Sequence, residues 1–343
     1  MLDYKKTGTF LASKRKQAQM TQADVAQKLG VSFQSVSKWE NGTLPFPEIP
    51  HPVLVLKSEE PGSKQKLAME YGYSESICHD MINHLVNDIM VMGARPLAVL
   101  DTIVCGSAEK ETIKSFIKGI SDACRENGCS LVGGETSIQP QVVEKGVYVL
   151  TSSIAGILSK DKVIDGSGIT EGDTVLAVAS NGLHTNGYSL VRMLMDQMPQ
   201  IKLEKIDGET FIEQIMKPHT TYRNAIRNLL ECPGIHGMAH ITGGGIQGNL
   251  CRILPDGLYA DIDLSKIKTL PIFRYIQRIG NIDEAEMLST FNCGVGLIVV
   301  VSERYAEQAI RNIAKYHDCY EIGRIRKGSG KVLFRNSVNW ESL

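Results

Sequence analysis

The sequence predicts an α/β protein, with α+β as the neighbouring class: a two-domain body preceded by a short all-helical N-terminal head. Apolar runs of strand length, such as Thr174–Ala179, alternate along the chain with stretches of helical periodicity, such as Lys110–Asn127. The 343 residues are enough for two domains and a small third. No internal repeat and no low-complexity tract interrupts this alternation, so it sets the predicted fold class.

Composition narrows the classes of function. Hydrophobic residues make up 43% of the chain and charged residues 22%, values typical of globular proteins. No apolar run approaches the roughly 20 residues that a membrane-spanning helix needs. The eight cysteines are scattered without a C-x-x-C pair, which favours reduced thiols over structural zinc. We therefore expect a cytoplasmic protein that makes no membrane contact.

Charge is distributed unevenly between the head and the body. Residues 1–45 carry seven Lys or Arg against three acidic residues, a net charge of +4, whereas the whole chain has a formal net charge of −1. A basic head on a mildly acidic body indicates that the head meets an anion that the body does not.

The sequence of the head predicts two short helices joined by a turn. Thr21 caps the first helix, Asp24 completes a capping box, and Gly30 ends the helix. Ser32 caps the second helix, which runs to Glu40. The residues expected to face inward are Val31, Val36 and Trp39. The residues expected to contact DNA bases or phosphates are Gln22, Phe33, Gln34, Ser35 and Lys38.

The head also carries a specific sequence pattern within residues 8–42, T-Q…L-G-V-S…V-S-K-W-E-N-G. It resembles the Cro/repressor-type helix-turn-helix family, which implies that residues 8–45 bind double-stranded DNA. Such domains normally add further helices, whereas here a Pro-rich stretch follows that cannot continue a helix. We therefore expect a truncated helix-turn-helix over 1–45 and a linker over 46–50. The alternative is a helical extension that packs on the body and binds no DNA.

The body shows two successive runs of strands and helices. The first run comprises the strand His51–Leu56, the helix Glu75–Met92, the strand Pro96–Thr102, the helix Lys110–Asn127 and the strands Cys129–Val132 and Val147–Leu158. After a Gly-, Ser- and Asp-rich stretch, the second run comprises the strand Thr174–Ala179, the helical Phe211–Leu230, the Gly-rich Ala239–Gly248, the segments Gly257–Asp261 and Phe291–Val301, and the helix Glu303–His317. We expect domains over 51–165 and 166–343.

The stretch Ser180–Arg192 groups polar side chains at the end of a predicted strand, where ligands usually sit in α/β proteins. Gly182 and Gly187 let the backbone come close to a ligand, and His184 and Asn186 offer polar atoms at the same point. The alternative is the start of a helix with polar side-chain caps.

Three further turns have the same form, with small and polar residues at the end of a strand. They are Glu59–Lys64, Gly133–Thr136 and His240–Gly245. Nearby acidic side chains are Glu59, Asp88 and Glu135. Oxygen ligands from separate elements, close to glycines, are how Mg²⁺ is usually held with a nucleotide. A candidate anion site before a helix is formed by Thr242, Gly243, Gly244 and Gly245. Each turn alone is more typical of an ordinary turn, and no G-x-x-x-x-G-K-[ST] motif is present.

Six sequence motifs without gaps, spread over most of the body (residues 51–337), match the pattern of one family. They are L-A-M-E (67–70), V-N-D-I (86–89), C-S-L-V-G-G-E-T (129–136), S-N-G-L-H-T-N-G-Y-S-L-V-R (180–192), A-H-I-T-G-G-G (239–245) and E-M-L-S-T-F-N-C-G-V-G (286–296). In this order they resemble the aminoimidazole ribonucleotide synthetases, the phosphoribosylformylglycinamidine cyclo-ligases of purine synthesis. The resemblance implies two α/β domains and a homodimer whose first-domain sheets join into a barrel.

The resemblance also implies a reaction, cofactors and residue roles. ATP, with Mg²⁺, activates the substrate's amide oxygen as a phosphate ester, and a ring nitrogen then closes the imidazole with loss of phosphate. The residues implied at the nucleotide and its metal are Glu59, Lys64, Asp88, Gly133, Gly134 and Glu135, of which Glu59, Asp88 and Glu135 are the metal ligands. His184 and Asn186 are implied in the catalytic cleft, and Thr242–Gly245 at an anionic ligand.

The chain departs from the family on the nucleotide side. Where the family has a D-G-V-G-T-K loop, the chain has Glu59-Glu60-Pro61-Gly62-Ser63-Lys64, which adds negative charge and stiffness. The segment Ser137–Gln141 replaces the family's Met-Pro-Gly turn. The head stands in place of the family's first part, which includes a Gly-rich loop that covers ATP.

Functions from different classes therefore stay open. The first is an ATP-dependent cyclo-ligase of purine nucleotide biosynthesis, acting on formylglycinamidine ribonucleotide. The second is a dimeric transcription regulator whose synthetase-like body senses a nucleotide or purine intermediate, because dimers present the paired heads that half-site recognition needs. A gene-fusion remnant that does neither is the third.

Overall fold

The structure, a computed structural model, describes residues 4–29, 32–42, 49, 51–328 and 331–341. The predicted linker at 46–50, apart from residue 49, lies outside these ranges, as do Gly30 and Val31. The chain divides into two compact units, Met1–Val53 with Leu158–Asp161 and Leu54–Ile157 with Lys162–Leu343. The predicted domain limits stay predictions. No helix within the described ranges is long and apolar enough to cross a membrane.

The N-terminal head contains α1 (Tyr4–Gln17), α2 (Gln22–Leu29) and α3 (Phe33–Glu40). The predicted helix pair is confirmed as α2 and α3. Thr21 and Asp24 bond each other's backbone amides, and the Ser32 side chain accepts an amide of the first turn of α3. Sequence analysis did not predict α1. Gly8 lets α1 lie against the end of α3, because a Cβ there would lie 2.6 Å from the carbonyl oxygen of Glu40.

The first half of the body consists of β1 (Pro52–Glu59), α4 (Lys64–Glu70), α5 (Ser76–Met90), β2 (Arg95–Cys105), α6 (Lys110–Glu126), β3 (Ser130–Ile138) and β4 (Tyr148–Ser159). Its strands form one sheet in the order β1-β4-β2-β3, and α5 and α6 pack against it. The sheet also presents exposed apolar side chains from all four strands, among them Leu54, Leu56, Leu100, Val132 and Val149.

The prediction that Gly133–Thr136 forms a turn is wrong. These residues lie inside β3, where Gly134 pairs with Asp101 and Glu135 with Thr102 of the parallel neighbour β2. A Cβ on Gly134 would lie 2.0 Å from Oδ1 of Asp101, so the glycine makes room for the Asp101 side chain. Here glycine marks the close approach of a neighbouring side chain within a sheet.

The second half of the body is built around a six-stranded sheet. Its elements are β5 (Thr174–Ala179), α7 (Tyr188–Gln197), β6 (Lys205–Ile206), β7 (Glu209–Thr210), α8 (Phe211–Ile215), α9 (Arg223–Leu229), β8 (Ile235–His240), α10 (Gly245–Leu250), β9 (Leu258–Asp263), α11 (Pro271–Gly280), α12 (Glu284–Thr290), β10 (Val295–Val301), α13 (Ala306–Ile313), β11 (Cys319–Lys327) and β12 (Val332–Arg335). The sheet order is β12-β9-β11-β5-β10-β8, and β6 and β7 form a separate hairpin. The interior strand β10, between β5 and β8, is buried along its whole length, as its continuous apolar sequence predicts.

Two helices are shorter than predicted. The expected helix Phe211–Leu230 is two helices, α8 and α9, because Pro218 cannot continue a helix and the chain forms a loop around it. This loop carries His219. The expected helix Glu303–His317 is a single 3₁₀ turn followed by the eight residues of α13.

Helix α5 joins the two halves of the body. Its predicted apolar face, which includes Ile77, Met81, Leu85 and Ile89, is fully or almost fully buried. A second set of residues at helical spacing is polar, and we call it the α5 polar stripe: Asp80, Asn83, His84, Asn87 and Asp88. The first four are at most 7% exposed. Polar residues three and four apart share one helix face, so the stripe is a continuous line.

The α5 polar stripe binds the loop between α8 and α9. The side-chain amide of Asn83 donates to the His219 carbonyl over 2.7 Å, and that of Asn87 donates to the Thr220 carbonyl over 2.8 Å. Asn87 Oδ1 also accepts the backbone amide of Tyr222 over 2.9 Å. These contacts replace bonds to water that the loop loses on burial, so they hold the second half on the first.

We expect Asn87→Ala to lower the free energy of unfolding by roughly 2–4 kcal/mol, because it leaves the Thr220 carbonyl and the Tyr222 amide buried without their partner. Urea unfolding followed by circular dichroism measures the change. The matched control is Asn224→Ala, which alters an exposed asparagine of α9 and should shift stability by less than about 0.5 kcal/mol. Equal effects of the two substitutions would contradict the role of Asn87.

Candidate active site

Two carboxylates from separate elements meet across a lysine. Glu59 ends β1, and Asp88 lies in the last turn of α5. The Nζ atom of Lys57 lies 3.0 Å from Glu59 Oε2 and 3.1 Å from Asp88 Oδ2. Lys57 and Glu59 are two residues apart and therefore share one face of β1. Burial opposes the charge of Lys57, but Asp88 and Glu59 outweigh it and raise the lysine's pKa.

Four histidines lie beside these carboxylates, and we call them the histidine cluster: His84, His184, His219 and His240. His240 Nδ1 donates to Asp88 Oδ1 over 2.7 Å, and His240 Nε2 lies 2.9 Å from His219 Nε2. The rings of His184 and His219 stack with their centroids 4.0 Å apart. The Thr185 hydroxyl lies 3.3 Å from His84 Nδ1 and 3.4 Å from His219 Nδ1, so it connects these two rings.

Burial keeps most of the histidine cluster neutral. It lowers the pKa of His84 to about 4, with a further contribution from His240, although Asp88 and Glu59 oppose the shift. Burial also places the pKa values of His184 and His219 well below the ordinary histidine value. Asp88 behaves differently. Burial is the largest single influence and works against its charge, but the hydrogen bond from His240 and the nearby His240, His84 and Lys57 together outweigh it and lower the pKa of Asp88. The site therefore combines the ionised carboxylate of Asp88 with the uncharged imidazoles of His84, His184 and His219.

The turn at 180–187 places His184 inside the protein. His184 has a positive φ of 59° and is 1% exposed. Gly296 of β10 leaves the space for its ring, since a Cβ there would lie 2.7 Å from His184 Cε1. The alternative interpretation of this turn, a helix start with polar side-chain caps, does not match the structure. The N-cap of α7 is Gly187, with φ 83° and no side-chain cap.

The Gly-rich segment Thr242–Gly245 leads from β8 into α10. Asn249 stabilises it, because its side-chain amide donates to the Gly245 carbonyl over 2.8 Å and to two earlier carbonyls of the segment. Gly245 has φ 60°, and a Cβ there would lie 1.8 Å from the carbonyl oxygen of Leu288. Only glycine fits this position, since its backbone touches that of α12.

A cavity of about 530 Å³ opens where these elements meet, and we call it the α5–β8 cavity. The sequence-predicted residues that line it are Glu59, Asp88, Asn186, Thr242 and Gly243. A Cβ on Gly243 would lie 3.2 Å from Asn186 Nδ2, which places the Asn186 amide beside the Gly-rich segment. The cavity also has two basic residues in its lining, Lys57 and Arg252.

Other predicted site residues lie elsewhere. Lys64 is fully buried, with Nζ 2.8 Å from Asp80 Oδ1 and 2.7 Å from the Lys217 carbonyl. Burial raises the pKa of Asp80 to about 6, against the influence of Lys64. Gly133, Gly134 and Glu135 lie on the edge strand β3 and are not among the described residues that line the α5–β8 cavity. His184 lies outside that lining too, and Gly244 and Gly245 continue into α10.

The head residues predicted at DNA divide into two groups. Phe33 is 51% exposed, and Gln34 and Lys38 are exposed beside it on α3. Ser35 is half-buried, and its hydroxyl lies 2.9 Å from that of Ser32. The Gln22 amide donates to Glu40 Oε2 over 2.8 Å, so it is engaged inside the head.

Sequence analysis missed the residues that hold the site together. Lys57, Asp80, Asn83, His84 and His219 were not among the candidates. One signal was available, since polar residues at helical spacing on α5 run beside its apolar face without a break. A polar helix face is usually exposed to solvent, so this pattern alone does not indicate burial.

Comparison with known proteins agrees with this fold. Family models described as AIR synthase related protein match residues 54–158 for the N-terminal domain and 170–336 for the C-terminal domain. The phosphoribosylformylglycinamidine cyclo-ligase of Bacillus cytotoxicus is 41% identical over 294 residues, which cover 84% of each chain. The chain belongs to the AIR synthase related family. The resemblance predicted from the motifs of the body is confirmed.

Further relatives within the AIR synthase related family extend this agreement. The phosphoribosylformylglycinamidine cyclo-ligase of Methylobacillus flagellatus is 42% identical over 286 residues, covering 82% of each chain. A helix-turn-helix family model matches residues 11–47, which confirms the resemblance of the head.

Solved structures show the same AIR synthase related fold at lower identity. E. coli HypE, a hydrogenase maturation protein, has a TM-score of 0.60 and 19% identity, covering 84% of each chain. T. maritima PurL complexed with AMPPCP has a TM-score of 0.55 and 17% identity, covering 85% of this chain and 44% of that one. At these identities the likeness shows the fold alone.

The α5–β8 cavity has the donor set that this family's implied cofactors need. Glu59 Oε2 and Asp88 Oδ2 lie within 3.1 Å of one point, the Lys57 ammonium, and carboxylate oxygens are the ligands that Mg²⁺ prefers. Thr242, Gly243 and Arg252 add polar and basic groups for a phosphate. The residues therefore fit a divalent cation with a phosphorylated ligand.

Proposed function

We propose that the body is an ATP- and Mg²⁺-dependent cyclo-ligase that converts formylglycinamidine ribonucleotide to aminoimidazole ribonucleotide, ADP and phosphate in the cytoplasm. The observation that carries the proposal is the α5–β8 cavity, in which two carboxylates face Asn186 and the Gly-rich segment. Its support is the 41% identity to a cyclo-ligase over most of the chain.

In this proposal Glu59 and Asp88 bind the cation, whose charge neutralises the phosphates of the nucleotide. ATP supplies the phosphoryl group that activates the amide oxygen of the substrate. Lys57 has to withdraw from the two carboxylates. Its side chain is 37% exposed, and its long flexible stem allows this. Asn186 and Thr242 orient the substrate from the opposite wall.

Several proposed roles rest on position in the family motifs. Glu135, Gly133 and Gly134 are proposed at the nucleotide, and Gly244 and Gly245 at an anionic ligand. Lys64 is proposed to act indirectly, by holding Asp80 in position through their buried hydrogen bond. His184 is proposed to act indirectly as well, by holding the ring of His219 in position through their stacking contact.

Asp88→Asn should lower ADP release from ATP, Mg²⁺ and formylglycinamidine ribonucleotide by on the order of 100-fold or more, because the amide keeps the shape but loses the charge that holds the cation. A coupled ADP assay measures the rate.

The matched control is Asp256→Asn, which changes an exposed aspartate and should leave the rate unchanged. The cyclo-ligase proposal fails if the unmodified protein releases no more substrate-dependent ADP than Asp88→Asn. Calorimetric titration with Mg²⁺-ATP then shows whether binding or turnover is missing.

A second function is favoured by the head, which we propose binds double-stranded DNA in a transcription regulator. Its support is the helix-turn-helix family match and the exposed side chains of α3. Phe33, Gln34 and Lys38 point into solvent on the helix that reads bases in such domains. Ser35 and Gln22 are proposed as supporting contacts, since both already bond within the head.

Lys38→Ala should weaken binding to duplexes selected from a random pool, and it should reduce the slope of log affinity against log salt by about 1, because one phosphate contact is lost. Fluorescence anisotropy at several salt concentrations measures both. The control Lys114→Ala removes an exposed lysine of α6 and should change neither. Identical salt slopes for the two variants would count against DNA binding by α3.

We further propose a homodimer that joins the exposed apolar side chains of the β1-β4-β2-β3 sheet. Leu56 is 75% exposed and Val132 61%, and Leu100 between them is 53% exposed. Leu56, Leu100 and Val132 line one shallow pocket together with Ala98 and Ala155, so they form one patch. An apolar patch of this kind marks an interaction surface. A second sheet would close it into the barrel that the family resemblance implies.

Leu100→Lys should convert the dimer to a monomer, because it buries a charge at the centre of the joined sheets. Light scattering coupled to size-exclusion chromatography measures the mass. The control Leu203→Lys alters a leucine that is 80% exposed outside this sheet and should leave the dimer intact. A dimeric Leu100→Lys variant would exclude this sheet as the interface.

A further inference from the structure

The histidine cluster contains more imidazoles than the proposed reaction uses. Four of the chain's eight histidines gather there, and all four are at least nine-tenths buried. Burying an imidazole costs free energy unless each ring nitrogen finds a partner. The arrangement of these nitrogens therefore needs an explanation of its own.

Two of the rings direct the same nitrogen at one point. His240 is held by Asp88 through Nδ1, and His219 contacts the Thr185 hydroxyl through Nδ1. The two Nε2 atoms face each other, 2.9 Å apart, and the side-chain nitrogen of Asn87 lies 3.4 Å from that of His240. A carboxylate or hydroxyl on the far nitrogen of a histidine is the usual outer support of a metal ligand, since it fixes the orientation of the ring.

His184 is a separate observation that also indicates a missing ligand. Its ring is 1% exposed, and neither Nδ1 nor Nε2 has a hydrogen-bond partner among the described residues. The His184 ring stacks on that of His219, at 19° between the two planes. The His184 ring therefore lies against this pair of rings with both of its nitrogens unbonded.

The three rings bring one nitrogen each close to a common point. One nitrogen from each of His184, His219 and His240 lies within 4.8 Å of the other two. Tetrahedral Zn²⁺ sets its imidazole nitrogens about 3.3 Å apart at bond lengths of 2.0–2.1 Å. Binding therefore requires the His219 and His240 nitrogens to move slightly apart and His184 to turn out of its stack on His219, because stacked rings hold their in-plane lone pairs nearly parallel. The cation replaces the proton that His219 and His240 otherwise share.

We propose that His184, His219 and His240 bind a divalent transition-metal ion of the Zn²⁺ type. Neutral imidazoles suit Zn²⁺, whereas Mg²⁺ requires oxygen ligands, so this site is distinct from the carboxylate pair at Glu59 and Asp88. Three protein ligands leave a fourth position open for water or a substrate group. The proposal goes beyond the cyclo-ligase and the DNA-binding functions, neither of which needs a nitrogen-bound metal.

The test titrates Zn²⁺ alone into full-length, chelator-treated protein, in competition with a chromophoric chelator. We expect one Zn²⁺ per chain. His219→Asn should weaken the affinity by more than the roughly 10- to 100-fold that loss of an outer-shell partner costs, because it removes a ligand. The matched control is His236→Asn, which alters a histidine bound to Asp173 over 2.6 Å and should retain full affinity.

Two outcomes would overturn the proposal: unmodified protein that binds no Zn²⁺, or equal affinity in His219→Asn and His236→Asn. Since His219→Asn could unfold the loop, a second measurement uses the unmodified protein with Co²⁺. Visible absorption bands of tetrahedral, nitrogen-bound Co²⁺ support the site, and an octahedral aqueous spectrum refutes it. Both titrations omit ATP, so failure of the cyclo-ligase proposal leaves their interpretation unchanged.

Discussion

The body depends on one buried line of polar contacts, the α5 polar stripe. An apolar seam between the two halves would tolerate sliding, because hydrophobic contact is not directional. Hydrogen bonds from Asn83 and Asn87 fix the loop after α8 in one register. Asp80 anchors the same loop through the His219 amide and also binds Lys64. The site is therefore assembled by the contacts that join the halves.

This arrangement explains why the polar network and the candidate chemistry overlap. The stripe runs from the buried pair Asp80 and Lys64 to Asp88 at the wall of the α5–β8 cavity. Along the stripe the side chains change from fully buried to partly exposed. Its buried residues therefore form structural hydrogen bonds, whereas Asp88 at the exposed end can bind a ligand. Low local dielectric strengthens satisfied contacts and penalises unsatisfied ones, which makes each partner costly to remove.

The sequence predicted what depends on local pattern and on motif. The strand 174–179, helices α2 and α3 of the head and the apolar face of α5 follow from capping residues and periodicity, and the choice of Glu59 and Asp88 as candidates follows from the family resemblance. The burial of the polar face of α5 was not predictable, because the residues that cover it are more than 100 positions away. The glycines of β3 were misread for a related reason. Their partner is Asp101 on another strand, and nothing local distinguishes such a contact from a turn.

Strand β1 serves two surfaces at once. Leu54 and Leu56 belong to the exposed apolar set, whereas Lys57 and Glu59 take part in the ion pairs at the cavity. Because side chains alternate along a strand, a shift by one residue would exchange the two sets, placing leucine against Asp88 and a carboxylate on the apolar surface. An insertion or deletion within residues 52–59 would therefore disrupt the cavity and the apolar surface at the same time.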